Sequence, residues 1–100
     1  MTKVYLERDG DRYTVACKDH ATGSEAVCAA VSTLCYTLAG YLHNIPCEIE
    51  KEELKMGDAR IIFYGRSEPA RAGFDMACVG FLQLAASYPE YVSAEIQEIE

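Results

Sequence analysis

A thiol and an imidazole stand eight residues apart in this chain, close to the start of a helical pattern. His20 lies on a short loop after a predicted strand, and Cys28 lies in the opening turns of the predicted helix. The thiolate is the nucleophilic form of cysteine, and both a helix N-terminus and a protonated histidine favour it. The spacing therefore indicates a Cys–His pair suited to nucleophilic chemistry.

Cys28 differs from the other cysteines because it lies beside, and not within, the apolar side of the predicted helix. At about 100° per residue, the apolar stripe from Val27 to Leu42 centres roughly 80 to 90° away from Cys28, so its thiol is expected to border the core. Ser32 follows one turn later on the same side and can donate a hydrogen bond to a thiolate or a substrate oxygen. The remaining cysteines are interpreted as packing residues, because they lie in apolar, periodic surroundings: Cys17, Cys35, Cys47 and Cys78.

Glu25 has two interpretations, which depend on where the helix begins. If Thr22 is the N-cap, Glu25 completes a capping box with it. If Ser24 is the N-cap, Cys28 lies nearer the end of the helix and Glu25 is available to orient His20. Both registers are compatible with the sequence.

The elements that position these residues follow from periodicity. Alternating or β-rich segments predict strands, and three-to-four-residue spacing predicts helices. The predicted strands are 3–7, 12–18, 46–50, 60–64 and 91–96, and the predicted helices are 24–43 and 70–87. The order ββαββαβ predicts an α+β, two-layer fold in which an antiparallel or mixed sheet packs against two helices. We expect Tyr5, Tyr13 and Tyr64 on the open face of that sheet, which would favour a homodimer.

Length, charge and composition limit the function. One hundred residues predict a single domain over residues 1–100. A net charge of −7, with 16 acidic and 9 basic residues, argues against binding nucleic acid and suits a basic protein partner. No signal peptide or membrane span is expected, and five cysteines without a CxxC pair fit the reducing cytoplasm. The two histidines show no ligand spacing, so neither a metal nor a cofactor is expected.

The segment DHATGSEAVCAAVSTL resembles the motif region of the ribosomal-processing cysteine protease family, Prp. In that family a Gly-His-Ala at the end of a strand precedes a Val-Cys-Ala-x-x-Ser that opens a helix. His20-Ala21 matches the first motif, and Val27 to Ser32 matches the second. The resemblance extends over essentially the whole chain, because the order of elements and a Tyr-Pro-x-Tyr-Val strand recur, the latter at 88–92.

The resemblance implies a cysteine endopeptidase with Cys28 as nucleophile and His20 as general base, supported by Ser32 and Glu25. Members of the family are dimeric bacterial enzymes that remove a short N-terminal extension from a large-subunit ribosomal protein. Related members lie beside phage capsid genes, which makes a phage capsid or scaffold precursor the other expected substrate. The sequence departs from the family pattern at Asp19, where glycine is usual, and in a shorter segment between His20 and Cys28.

Two other functions compete with proteolysis. The chain could be a catalytically inactive, peptide-binding dimer derived from such a protease, if the short loop keeps His20 from Cys28. A redox function with Cys35 as the partner of Cys28 is disfavoured, because two helical turns separate the two sulfurs by roughly 10 Å, beyond the reach of a disulfide.

Overall fold

The computed structural model describes residues 1–19, 24–55 and 57–99 of the chain. Within these residues, five strands and two helices follow one another. They are β1 (Thr2–Asp9), β2 (Arg12–Lys18), α1 (Glu25–Leu42), β3 (Glu48–Lys55), β4 (Asp58–Tyr64), α2 (Glu68–Ser87) and β5 (Val92–Ile99). The predicted ββαββαβ order and the α+β class are confirmed.

The five strands form one mixed sheet in the order β3-β4-β2-β1-β5. Neighbouring strands run antiparallel except for β1 and β5, which are parallel. This parallel pair arises because the chain returns through α2 before it enters β5, and a crossover of that length is what a parallel pair requires. Strand β2 lies at the centre of the sheet, and α1 is the next element along the chain.

The core lies between one face of the sheet and the two helices. Its largest fully buried side chains include Leu6, Ile61 and Phe63 from the strands and Val31 and Phe81 from the helices. Burying a side chain of this size contributes about 1.5–3 kcal/mol each. The core consequently holds α1, and with it Cys28, against the central strands.

The expected position of Tyr13 on the open face is wrong. Its ring is only 2% exposed and packs in the core, with ring centroids 5.0 Å from Phe63 and 4.8 Å from Phe74. Side chains two residues apart share a face of a strand, and Tyr13 shares the buried face with Val15. Tyr64 follows buried Phe63 in β4 and is 37% exposed, as expected of the opposite face.

Ser24 is the N-cap of α1. Its backbone is extended and its Oγ accepts a hydrogen bond from the Val27 amide at 3.4 Å. Of the two registers compatible with the sequence, the structure has the one that begins the helix after Ser24. Cys28 is therefore the fourth residue of α1.

Strand β3 is longer than the sequence pattern indicates, and this matters for the site. A bulge between Ile49 and Lys51 shifts the register against β4. A bulge places two residues opposite one and interrupts the period of two, so the alternating pattern ends near Glu50 although the strand continues to Lys55. The extended hairpin brings the end of β3 alongside the first half of α1.

Helix α1 is long and apolar enough, by length and composition alone, to cross a membrane. In the structure its buried residues, among them Val27, Val31 and Leu38, belong to the core shared with the sheet. This is the arrangement of a core helix in a globular fold.

Candidate active site

Cys28 lies where the first turn of α1 closes. Its amide donates to the Ser24 carbonyl at 3.0 Å, the first backbone bond of the helix, and its side chain is half-buried. The thiol lines a cavity of about 330 Å³. The cavity is lined by Cys28, Ser32, Cys35, Tyr36, Leu54, Lys55 and Ala59.

Three of these residues come from successive turns of the same helical side. Cys28, Ser32 and Cys35 are spaced by four and three residues, which places them one above another along α1. Ser32 therefore lies in the same cavity as Cys28, where the sequence placed it. Cys35 is 2% exposed and forms part of the deep wall.

The opposite wall of the cavity comes from the β3–β4 hairpin, and sequence reasoning missed it. Leu54 and Lys55 end β3, and Ala59 lies in β4. The predicted strand stopped at Glu50, so no pattern in the sequence placed Lys55 beside Cys28. Among the cavity-lining residues that the structure describes, Lys55 is the one that carries a charge, and its Nζ lies 4.0 Å from the Glu53 carboxylate.

His20 and Thr22 lie outside the described residues. Glu25 is exposed in the first turn of α1, where a carboxylate interacts favourably with the helix dipole.

The chain's other histidine lies far from the cavity. His43 is the C-cap of α1, fifteen residues beyond Cys28, which corresponds to roughly 22 Å along the helix. Its Nε2 is 3.0 and 3.1 Å from the two carboxylate oxygens of Glu52. Since the sequence contains two histidines, His20 is the one imidazole of this chain whose position in sequence suits a pairing with Cys28.

The other four cysteines have different surroundings from Cys28. Cys17 and Cys78 are buried, and burial raises the pKa of Cys78 to about 11. Cys47 is half-buried, its Sγ donates to the Leu42 carbonyl at 3.3 Å, and burial raises its pKa. Cys35 also lines the cavity, but its side chain is almost fully buried. Cys28 is thus the cysteine that combines partial exposure, a helix start and a cavity.

The backbone just before His20 adopts a conformation that glycine favours. Asp19 follows strand β2 with φ of +59°, in the left-handed region. Aspartate is one of the few residues that tolerate this region, at a modest cost in energy. The family pattern that the sequence resembles has glycine at this position, and glycine adopts this left-handed region without strain.

The fold and the thiol site together define a class of protein, the small α+β cysteine proteases. The sequence profile of the family described as Cysteine protease Prp matches residues 1–93, and the chain belongs to that family. The predicted family membership and the predicted enzyme class, a cysteine protease, are confirmed. Among curated proteins, none matches this chain.

Solved structures with the same fold cover nearly the whole chain. The crystal structure of SMU.848 from Streptococcus mutans is 25% identical, with a TM-score of 0.77 over 98% of this chain and 95% of the other. The essential ribosomal processing protease Prp from S. aureus, in complex with a substrate peptide, is 14% identical, with a TM-score of 0.78 over 96% and 99%. The same protease with a covalently linked product peptide is 16% identical, with a TM-score of 0.77.

Proposed function

We propose that this chain removes a short N-terminal extension from a ribosomal precursor protein, with Cys28 as the nucleophile and His20 as the general base. The observation that carries the proposal is the position of Cys28: a half-buried thiol at the start of a helix, facing a cavity between α1 and the β3–β4 hairpin. Because His43 lies far from that cavity, His20 is the histidine that we propose pairs with Cys28.

The proposed reaction is acyl transfer through a thioester. His20 takes the proton of the Cys28 thiol, and Sγ attacks the scissile carbonyl carbon. The tetrahedral intermediate collapses as His20 protonates the leaving amine, which departs as the new N-terminus. Water, deprotonated by His20, then attacks the thioester, and the peptide leaves as a carboxylic acid while Cys28 regains its proton.

The start of α1 also supplies donors for the oxyanion. The Cys28 amide is already bonded to Ser24, but the amides of Glu25 and Ala26 precede the first backbone bond of the helix, and such amides have no partner within a helix. Preorganised amides of this kind stabilise developing negative charge. The Ser32 hydroxyl, in the same cavity, is proposed to donate to the substrate oxygen or the thiolate.

Glu25 is proposed to orient His20. With Ser24 as the N-cap, the carboxylate of Glu25 is not needed for a capping box with Thr22. A carboxylate that holds an imidazole by its second nitrogen fixes the tautomer that can accept a proton.

A basic ribosomal precursor suits the charge of this protein. The chain carries a net charge of −7, and opposite charge accelerates the encounter with a basic partner. The S. aureus protease of the same fold is described as a ribosomal processing enzyme with a bound substrate peptide. Such a substrate places the reaction in the cytoplasm. A phage capsid or scaffold precursor is the alternative substrate.

The proposed homodimer is best accommodated by the outer face of the two helices. A groove of about 200 Å³ between α1 and α2 is lined by Leu34, Tyr41 and Met76 among others, and Met76 is 75% exposed. The open face of the sheet instead carries paired charges, such as Arg12 with Glu50 at 3.0 Å.

Light scattering should show that Met76→Glu yields a monomer while Tyr64→Ser stays dimeric. The opposite pattern would place the interface on the sheet.

The test of the activity is cleavage of candidate precursors, a ribosomal protein with its N-terminal extension and a capsid or scaffold protein, followed by mass spectrometry of the products. Cys28→Ser and His20→Ala should abolish cleavage. Each has a matched control in the same chain: Cys47→Ser removes another half-buried thiol, and His43→Ala removes the other imidazole. Both controls should cleave like the wild type.

Three outcomes would contradict the proposal. Cleavage by Cys28→Ser at the wild-type rate would exclude Cys28 as the nucleophile. Loss of cleavage in His43→Ala but not in His20→Ala would reverse the assignment of the base. Peptide binding without cleavage by the wild type would identify the chain as an inactive, peptide-binding member of the family.

A further inference from the structure

Two buried thiols, which take no part in the proposed reaction, meet beneath the cavity. The Sγ atoms of Cys17 in β2 and Cys35 in α1 are 3.6 Å apart. The two residues are 0% and 2% exposed, and both belong to the core between sheet and helix. They are eighteen residues apart in sequence, so only the packing of α1 on β2 brings their sulfurs together.

The geometry of this pair differs from that of two cysteines on one helix. Cys28 and Cys35 are two turns apart, and their sulfurs cannot bond. Cys17 and Cys35 lie on facing elements, and a disulfide bond of about 2.05 Å requires their sulfurs to approach by roughly 1.5 Å. Such a movement is small enough for side-chain rotation combined with a slight shift of α1.

We propose that Cys17 and Cys35 are a site of reversible oxidation, at which a hydroperoxide converts the two thiols into a disulfide that cross-links β2 to α1. The Cys35 thiolate attacks one oxygen of hydrogen peroxide, the O–O bond breaks, and Cys35 becomes a sulfenic acid while hydroxide leaves and is protonated to water. The Cys17 sulfur gives up its proton and attacks the Cys35 sulfur, and the S–O bond breaks with loss of a second water. Two thiols lose two electrons, and one peroxide becomes two waters.

The order of the two steps follows from which sulfur reaches the cavity. Cys35 lines the cavity shared with Cys28, so a small oxidant that enters there meets Cys35 before Cys17. The neighbouring Cys35 sulfur and burial both raise the pKa of Cys17, so Cys17 stays protonated until the Cys35 sulfur has been oxidised. Cys35 is therefore the attacking sulfur, and Cys17 is the resolving one.

The disulfide has a measurable physical consequence. It closes a loop of about 19 residues, and a cross-link of that size restricts the unfolded chain enough to raise the thermal midpoint of a domain this small by roughly 15 °C. Because Cys35 belongs to the cavity wall, the bond also draws that wall towards the sheet.

The experiment uses the full chain with Cys28→Ser, which removes the thiol at the mouth of the cavity as a competing target. The protein is exposed to hydrogen peroxide, quenched, alkylated after unfolding and mapped by mass spectrometry. We expect the protein to lose 2 Da and the peptides of Cys17 and Cys35 to be linked, while Cys47 and Cys78 are alkylated. Dithiothreitol should reverse both the mass change and the thermal shift. Adding Cys17→Ser should leave a sulfenic acid on Cys35 that dimedone traps, whereas adding Cys47→Ser should leave the disulfide unchanged.

The readouts separate this proposal from the proposed protease activity, since mass and thermal midpoint need no substrate and the variant has no nucleophile. An unchanged mass after peroxide, or a link that includes Cys47, Cys78 or a second chain, would overturn the proposal. A disulfide that forms equally well in the Cys35→Ser variant would do the same.

Discussion

The thiol site can be tested before any substrate is known, by ranking the alkylation rates of the five cysteines. A brief pulse of iodoacetamide at pH 8 should label Cys28 first, because it is partly exposed in a cavity at a helix start. Burial raises the pKa of Cys78 from an ordinary 9.0 to about 11. Its thiolate fraction at pH 8 then falls from about 10% to about 0.1%, so ionisation alone slows Cys78 about a hundredfold.

The same reasoning predicts the pH dependence of that slow labelling. Below pH 11 the thiolate fraction of Cys78 rises about tenfold per pH unit, so its labelling should accelerate by that factor while the fold persists. Cys17 is fully buried with a raised pKa, and it should lag as well.

The assay is quantitative mass spectrometry of each cysteine peptide over a time course, with the protein in concentrated urea as the control. Unfolding removes burial and the helix start, so the five rates should converge in urea. Labelling of Cys47, the other half-buried cysteine, as fast as Cys28 in the folded protein would refute the site assignment. So would labelling of Cys78 within tenfold of the rate of Cys28.

Further predictions concern the elements that hold the site. Ser24→Ala should lower the free energy of unfolding by about 1 kcal/mol in a urea titration, because Ser24 caps α1, and Thr22→Ala should cost less; the reverse order would put the helix start at Thr22. Asp19→Val should be less stable than Asp19→Gly by about 1–2 kcal/mol, because φ of +59° is strained for a branched residue; equal midpoints would mean that this backbone relaxes without cost. Phe74→Ala should lose about 3–5 kcal/mol, because its ring packs on Tyr13 in the core, and a loss under 1 kcal/mol would show that the cluster is loosely packed.

Local patterns were enough to predict the order of the strands and helices and the position of Cys28 at the border of the core. Hydrophobic periodicity is a property of neighbouring residues, so the two helices and most strands could be read without any knowledge of their partners. The same helical geometry separated Cys28 from the core stripe, and the structure has it half-buried beside the cavity. The motif that contains His20 and Cys28 is likewise continuous in sequence, which is why the resemblance to the Prp family could be recognised and then confirmed.

The sequence was less informative about features that arise where the chain departs from the regular alternation of a strand or depend on the packing of distant elements. The bulge between Ile49 and Lys51 interrupts the alternation of β3, so the predicted strand ended early and Lys55 was not connected with Cys28. The alternation in β2 does not show which face of the sheet Tyr13 joins, and its place in β2 opposite α2 puts the ring against Phe74 instead of on the open face. In both cases a neighbour distant in sequence decided the outcome.

The sequence by itself thus determined which segments become helix or strand and which thiol borders the core, because these depend on side chains within a few residues of one another. The tertiary structure alone decided the cavity wall opposite Cys28 and the 3.6 Å approach of Cys17 to Cys35. Those contacts depend on the register of the β3–β4 hairpin and on the packing of α1 across β2. Neither of these produces a periodic pattern of residues in the sequence.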